Sequence, residues 1–87
     1  YEAAAKWYRK AAELGHAGAQ FGLGSCYFLG RGVPENHVRA CLWLILAKSG
    51  GHKKALANIE IVEKRMTPAQ IDKAQELAAE WREKLKN

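Results

Sequence analysis

Residues 7–20, Trp-Tyr-Arg-Lys-Ala-Ala-Glu-Leu-Gly-His-Ala-Gly-Ala-Gln, return in outline thirty-six positions later: Ala4 aligns with Ala40, Trp7 with Trp43, Ala11 with Ala47, Gly15 with Gly51, His16 with His52 and Ala19 with Ala55, with no gap. A fixed period of this size marks a repeat protein, in which each unit is one supersecondary element that cannot bury its apolar face alone, so that neighbours stack to make a core. Function in such a chain belongs to a surface built across units, not to a pocket closed within one.

Helical spacing runs outward from that stretch. Residues 2–14 place Ala4, Trp7, Tyr8, Ala11 and Leu14 on one side, and Gly15 stands where a left-handed cap ends a helix. Residues 17–29 put Ala19, Leu23, Cys26 and Tyr27 together before Gly30-Arg31-Gly32-Val33-Pro34, where glycines and proline stop the helix. Residues 36–49 start at an Asn36 N-cap and are apolar all round from Ala40 to Ala47. A buried strand competes for that run, but its alignment with the first helix and its few β-branched residues favour a helix, ended by Gly50-Gly51. Residues 52–66 form a fourth helix, and Thr67-Pro68-Ala69-Gln70 is a capping box that opens a fifth, with Ile71, Ala74, Leu77, Ala78, Trp81 and Leu85 facing inward. The expected division is a second helix of a truncated repeat (1–14), a complete repeat (15–50), the first helix of an atypical last repeat (51–66) and a C-terminal capping helix (67–87) within one domain. The start at Tyr1 without Met reads as a piece of a longer protein whose natural C-terminus lies near Asn87.

Once laid out, Trp7 to Gln20 followed by Leu23-Gly24, Tyr27 and Gly30-Arg31-Gly32-Val33-Pro34 closely resembles the Sel-one-like repeat (SLR) family, relatives of the tetratricopeptide repeat, over residues 1 to about 59. The resemblance implies an all-α fold, a right-handed α/α superhelix (solenoid) of about five antiparallel helices, and a role as a scaffold or adaptor that binds a protein on its concave surface. Its structural signature falls on Trp7, Gly15, Ala19, Leu23, Gly24, Tyr27, Gly30, Gly32, Trp43 and Gly51, with the tryptophans and Tyr27 filling gaps between helix pairs. After Ile59 the chain departs from the pattern, with Glu60 and Glu63 where Gly24 and Tyr27 would recur. A cysteine-rich branch of the family ties each repeat with a disulfide and is linked to penicillin binding. Here the tied positions are Ala12 and Gln20, which leaves a β-lactam-binding or hydrolysing enzyme as the weaker alternative.

Charge and composition narrow the partner. Residues 1–54 carry eight Lys/Arg against three Asp/Glu, whereas residues 55–87 carry six of each, so basicity belongs to the repeats. No Lys/Arg run with interleaved aromatics tracks a nucleic-acid backbone, and Ala40–Ala47 is far too short to span a bilayer. The expected partner is a protein or peptide, acidic with an apolar anchor, with no nucleic acid and no membrane span. At 100° per residue from Leu23, Phe21, Ser25 and Phe28 lie opposite the core, with Leu29 beside them; one period on come Lys54, Ala57, Asn58, Ile61, Lys64 and Arg65. These are the candidate contact residues, an apolar patch meeting a basic one. His16 and His52 are separated by a whole unit and cannot share a metal, and His37 has no ligand-spaced partner. No catalytic arrangement, metal site or phosphate-cradling loop stands out, so neither catalysis nor a cofactor is expected. Cys26 and Cys41 read as buried small hydrophobes, with a disulfide between them as the lesser option. The open face of the first helix, around Trp7 and Tyr8, is expected to support self-association. Cellular location is left open by the composition.

Overall fold

The repeat is built from one turn used twice. In the computed structural model, which describes residues 2–86, Gly15 and Gly51 take φ of 95° and 92°. Around them His16 N–H donates to the Ala11 carbonyl and His52 N–H to the Ala47 carbonyl, at 3.2 and 2.9 Å, while each glycine N–H reaches back three residues. This is a Schellman close, which needs a residue free of Cβ at the left-handed position. The turn separates α1 (Glu2–Glu13) from α2 (Ala17–Leu29), and α3 (His37–Ser49) from α4 (Ala55–Glu63). Between α2 and α3 the loop is closed by Asn36 N–H donating to the Tyr27 carbonyl, and Asn36 then caps α3 by accepting from Arg39 N–H at 2.9 Å. The last helix, α5 (Pro68–Leu85), opens on the expected capping box, with Thr67 and Gln70 exchanging bonds of 2.9 and 3.2 Å. The expected boundaries at Tyr1 and Asn87 lie outside the described residues.

Packing makes an all-α solenoid of stacked helices with α3 at its centre. Every residue of Ala40–Ala47 is buried except Ile45, which is half-buried. Gly24 lets α2 approach α3 until a methyl placed on it would fall 2.8 Å from Leu44 Cγ and 3.1 Å from the Ala40 carbonyl oxygen. Beyond α3, α5 docks through Ala74 and Ala78, both fully buried, and sets Trp81 against Trp43 at 5.1 Å between ring centroids. Arg82 Nη1 donates to Ser49 Oγ across the same junction at 3.2 Å.

Three expectations need correction. The buried residues of α1 are Ala5 and Ala12, so its inward stripe is rotated from the one expected: Ala4 is exposed, and Trp7 and Leu14 are 75% and 77% exposed. The cause is that α1 packs chiefly on α2, so Trp7 fills no gap between pairs. Helix four is shorter than 52–66, because Gly51–Lys54 form the turn and Lys64–Met66 turn toward the Thr67 cap; Leu56 faces outward. Both cysteines are free thiols, Cys41 fully buried and Cys26 only half-buried.

At the positions where the cysteine-rich pattern would place a crosslink, Gln20, buried at 2% exposure, donates its Nε2 to the Ala12 carbonyl at 3.2 Å. A hydrogen bond between the end of one helix and the start of the next stands there instead.

Candidate interaction surface

Two hollows open on the outer side of α2. One, of about 190 Å³, lies between α2 and α4; Leu44 and Val62, each 1% exposed, form its buried part, and Ser25, Phe28 and Leu29 face Asn58 and Ile61 across it. The other, of about 450 Å³, lies between α1 and α2, from Tyr8 past Gly18, Phe21 and Gly22 to Ser25 and Leu29. Ser25 and Leu29 belong to both, so the two form one groove across three helices. Helical geometry explains the sharing, since residues four apart lie one above the other on a face. Gly18 and Gly22 obey the same spacing in the sequence and put no side chain of their own on that face, so the Tyr8 ring of α1 lies directly against Gly22.

The phenylalanines are less free than the helical angle suggests. Phe21 is half-buried because the His52 ring stacks on it, 4.1 Å between centroids and 5° from parallel. Phe28 is half-buried between the tilted His37 ring at 5.5 Å and the Arg65 guanidinium, 5.4 Å from its centroid. Both pack against the core cluster, which corrects the expectation that they point away from it. The more exposed apolar groups lining the cleft are Leu29, 52% exposed, and Ile61, 49% exposed.

The basic residues divide. Arg65 is drawn over Phe28 in a cation–π contact, beside the carbonyl end of α4 where positive charge is favoured. Lys64, the C-cap residue of α4, is exposed and does not line the cleft. Lys54 sits at the opposite end, its N–H donating to His52 Nδ1 at 3.3 Å, and Ala57 is exposed outside the cleft. Asn58 is half-buried at the rim, its carboxamide the only neutral polar group on the α4 wall. No group of three or more metal-ligating side chains occurs among the described residues, and no described helix is long and apolar enough to cross a membrane.

Comparison with known proteins follows the same layout. The Sel1 repeat profile matches residues 1–16 and 17–52. No curated protein matches the chain. Among solved structures, a protective antigen present in uropathogenic Escherichia coli strains and displaying an SLR fold is similar over 93% of this chain, with 36% sequence identity and a TM-score of 0.87. The chain spans 18% of the length of that antigen.

Proposed function

Because this chain belongs to the Sel1 repeat family, we propose that it is a protein-binding module whose partner lies along α2 and α4, inserting one apolar side chain between them and placing acidic groups beside Arg65 and Lys64. Sel1 repeats of the SLR fold are a scaffold type, generally without catalysis. The observation that carries the reading is the cleft between Phe28, Leu29 and Ile61. This arm of the groove, about 190 Å³, is by itself smaller than the roughly 300–1,000 Å³ of sites that enclose a small molecule. It suits a single anchoring side chain, and Asn58 at its rim can both donate to and accept from a partner backbone.

Leu29 and Ile61 are exposed enough to be changed without touching the core. Selection of peptides from a random phage-displayed library on the immobilised chain is expected to enrich an aromatic or aliphatic residue flanked by Asp or Glu. Leu29→Asp and Ile61→Asp are expected to weaken those peptides at least tenfold with the helical signal unchanged. Enriched peptides that bind both variants as well as the parent would refute the reading. The same proposal includes self-association at α1, whose open face carries the exposed Trp7 between Lys6 and Lys10; sedimentation over a concentration series tests it, and a strictly monomeric chain overturns that part.

A further inference from the structure

Away from this groove, two guanidinium groups converge on one phenol. Tyr27 and Phe28 leave α2 about 100° apart, so Tyr27 turns inward and is buried at 4% exposure. Its hydroxyl oxygen accepts from Arg9 Nη2 of α1 at 2.6 Å and stands 3.5 Å from Arg39 Nη1 of α3, whose guanidinium carbon is also 5.8 Å from the Tyr27 ring centroid. Two cations held by one oxygen are no farther apart than those two bonds laid end to end. No carboxylate oxygen among the described residues lies within 4.0 Å of either arginine. The phenolic proton also has no acceptor among them, since both bonds at that oxygen arrive from outside.

Such an arrangement is short of negative charge and of acceptors at one point. Like charges close together repel, and the repulsion is relieved by an anion lying between them. Donor groups from three helices are gathered around that oxygen: the guanidinium of Arg9 from α1, that of Arg39 from α3 and the Tyr27 O–H from α2. A planar carboxylate offers two oxygens, whereas a phosphate monoester offers three strong acceptors and close to two negative charges at neutral pH. Room for the ester substituent begins at Arg9 itself, in a hollow of about 270 Å³ between α1 and the loop at Gly32–Pro34, with Lys6 on its wall and Glu2 as its single carboxylate. We propose that Arg9, Tyr27 and Arg39 form a binding site for a phosphate monoester dianion. The site does not depend on the partner groove and stands or falls separately from it.

Arg39 is the residue to change, because it is exposed and its bond to Tyr27 is the long one; Arg9 also holds α1 against α2. Inorganic phosphate, O-phosphoserine and acetate are titrated into the chain near pH 7.5, at ionic strength held constant with chloride, following the thermal midpoint and the arginine side-chain N–H resonances. Saturable rises with phosphate and phosphoserine but not acetate are expected, with the Arg9 and Arg39 resonances moving together. Equal affinity for the two phosphates assigns recognition to the phosphate group alone, and tighter phosphoserine binding assigns a further contact to the ester side; both uphold the site. Arg39→Gln and Tyr27→Phe are expected to weaken binding about tenfold or more, the size of one lost hydrogen bond to a charged group, while Lys73→Gln, which removes an equal charge from α5, leaves it unchanged. No saturable response, an equal response to acetate, or an unaltered affinity in Arg39→Gln would overturn the proposal and leave the two arginines as struts between helices.

Discussion

Gly24 offers the sharpest test of how the helices meet. A methyl at this position falls 2.8 Å from Leu44 Cγ and 3.1 Å from Leu44 Cδ2 and the Ala40 carbonyl oxygen, where carbon atoms prefer about 3.5–4.0 Å. Leu44 is 1% exposed and cannot swing into water, and the Ala40 oxygen is backbone, so α2 and α3 must part by about half an ångström or more. Overpacking of that kind costs about 1–3 kcal/mol, against which alanine regains about 1 kcal/mol of helix propensity. Gly24→Ala is therefore expected to destabilise by about 0–2 kcal/mol. Gly24→Leu brings three further carbons to the same contact and is expected to cost more than about 2 kcal/mol. In a chain of 87 residues that loss lowers Tm by about 10 °C or more. Two glycines of the same helix serve as controls. Gly18 has nothing within 4 Å, so Gly18→Ala is expected to be neutral or to stabilise by up to about 1 kcal/mol. At Gly22 the obstacle is the Tyr8 ring, 38% exposed and free to move aside, so Gly22→Ala is expected to be close to neutral. Urea unfolding of the four variants decides the matter: a Gly24→Leu midpoint equal to that of the parent would refute the close crossing.

Gln20→Ala is expected to cost about 2–4 kcal/mol, combining a core cavity with the lost bond to the Ala12 carbonyl, and Gln20→Leu clearly less because it refills the volume; urea midpoints separate the two. Thr67→Ala removes the N-cap of α5 and is expected to cost about 1 kcal/mol, read as a fall in Tm by calorimetry. Burial, reinforced by nearby Glu63, pushes the Cys41 thiol up to about 11 from an ordinary 9.0. Since the folded value lies above the unfolded one, this contribution is fully present below about pH 9 and is lost as pH rises toward 11, removing roughly 2–3 kcal/mol. Urea midpoints at about pH 8 and about pH 10.5 are expected to differ more in the parent than in Cys41→Ala, and equal slopes would refute the assignment.

What could be read from the sequence was whatever is decided locally. The turns at Gly15 and Gly51, the Asn36 cap and the Thr67–Gln70 box depend on residues within one helical turn, and each stands where the spacing puts it. Burial is different, because it depends on what comes to rest on a face. Trp7 and Trp43 occupy the same repeat position, yet Trp43 is 5% exposed under Trp81 while Trp7 is 75% exposed. Periodicity names the face and is silent on whether it is covered. The phenylalanines show the same limit: the angle about Leu23 sets their direction, but the rings of His52 and His37 that shield them arrive from other elements. Shifting the α2 surface by one period brought Asn58 and Ile61 opposite Ser25 and Leu29, since those positions ride on the repeat itself. It did not separate Lys54 from Arg65, which stand beyond opposite ends of α4.

The central place of α3 has a consequence for motion. Helices α2, α4 and α5 all pack substantially on α3, while α1 packs chiefly on α2. Amide protons of α3 are therefore expected to be the slowest to exchange with solvent, and those of α1, which rests chiefly on one neighbour, to exchange sooner. The two halves of the groove therefore differ in stiffness. Between α2 and α4 both walls are braced by the same helix, so an anchoring side chain enters a shape already made. Between α1 and α2 one wall rests chiefly on the other, and a partner bound there would hold α1 down, gaining protection for its amides at the expense of the freedom that helix loses.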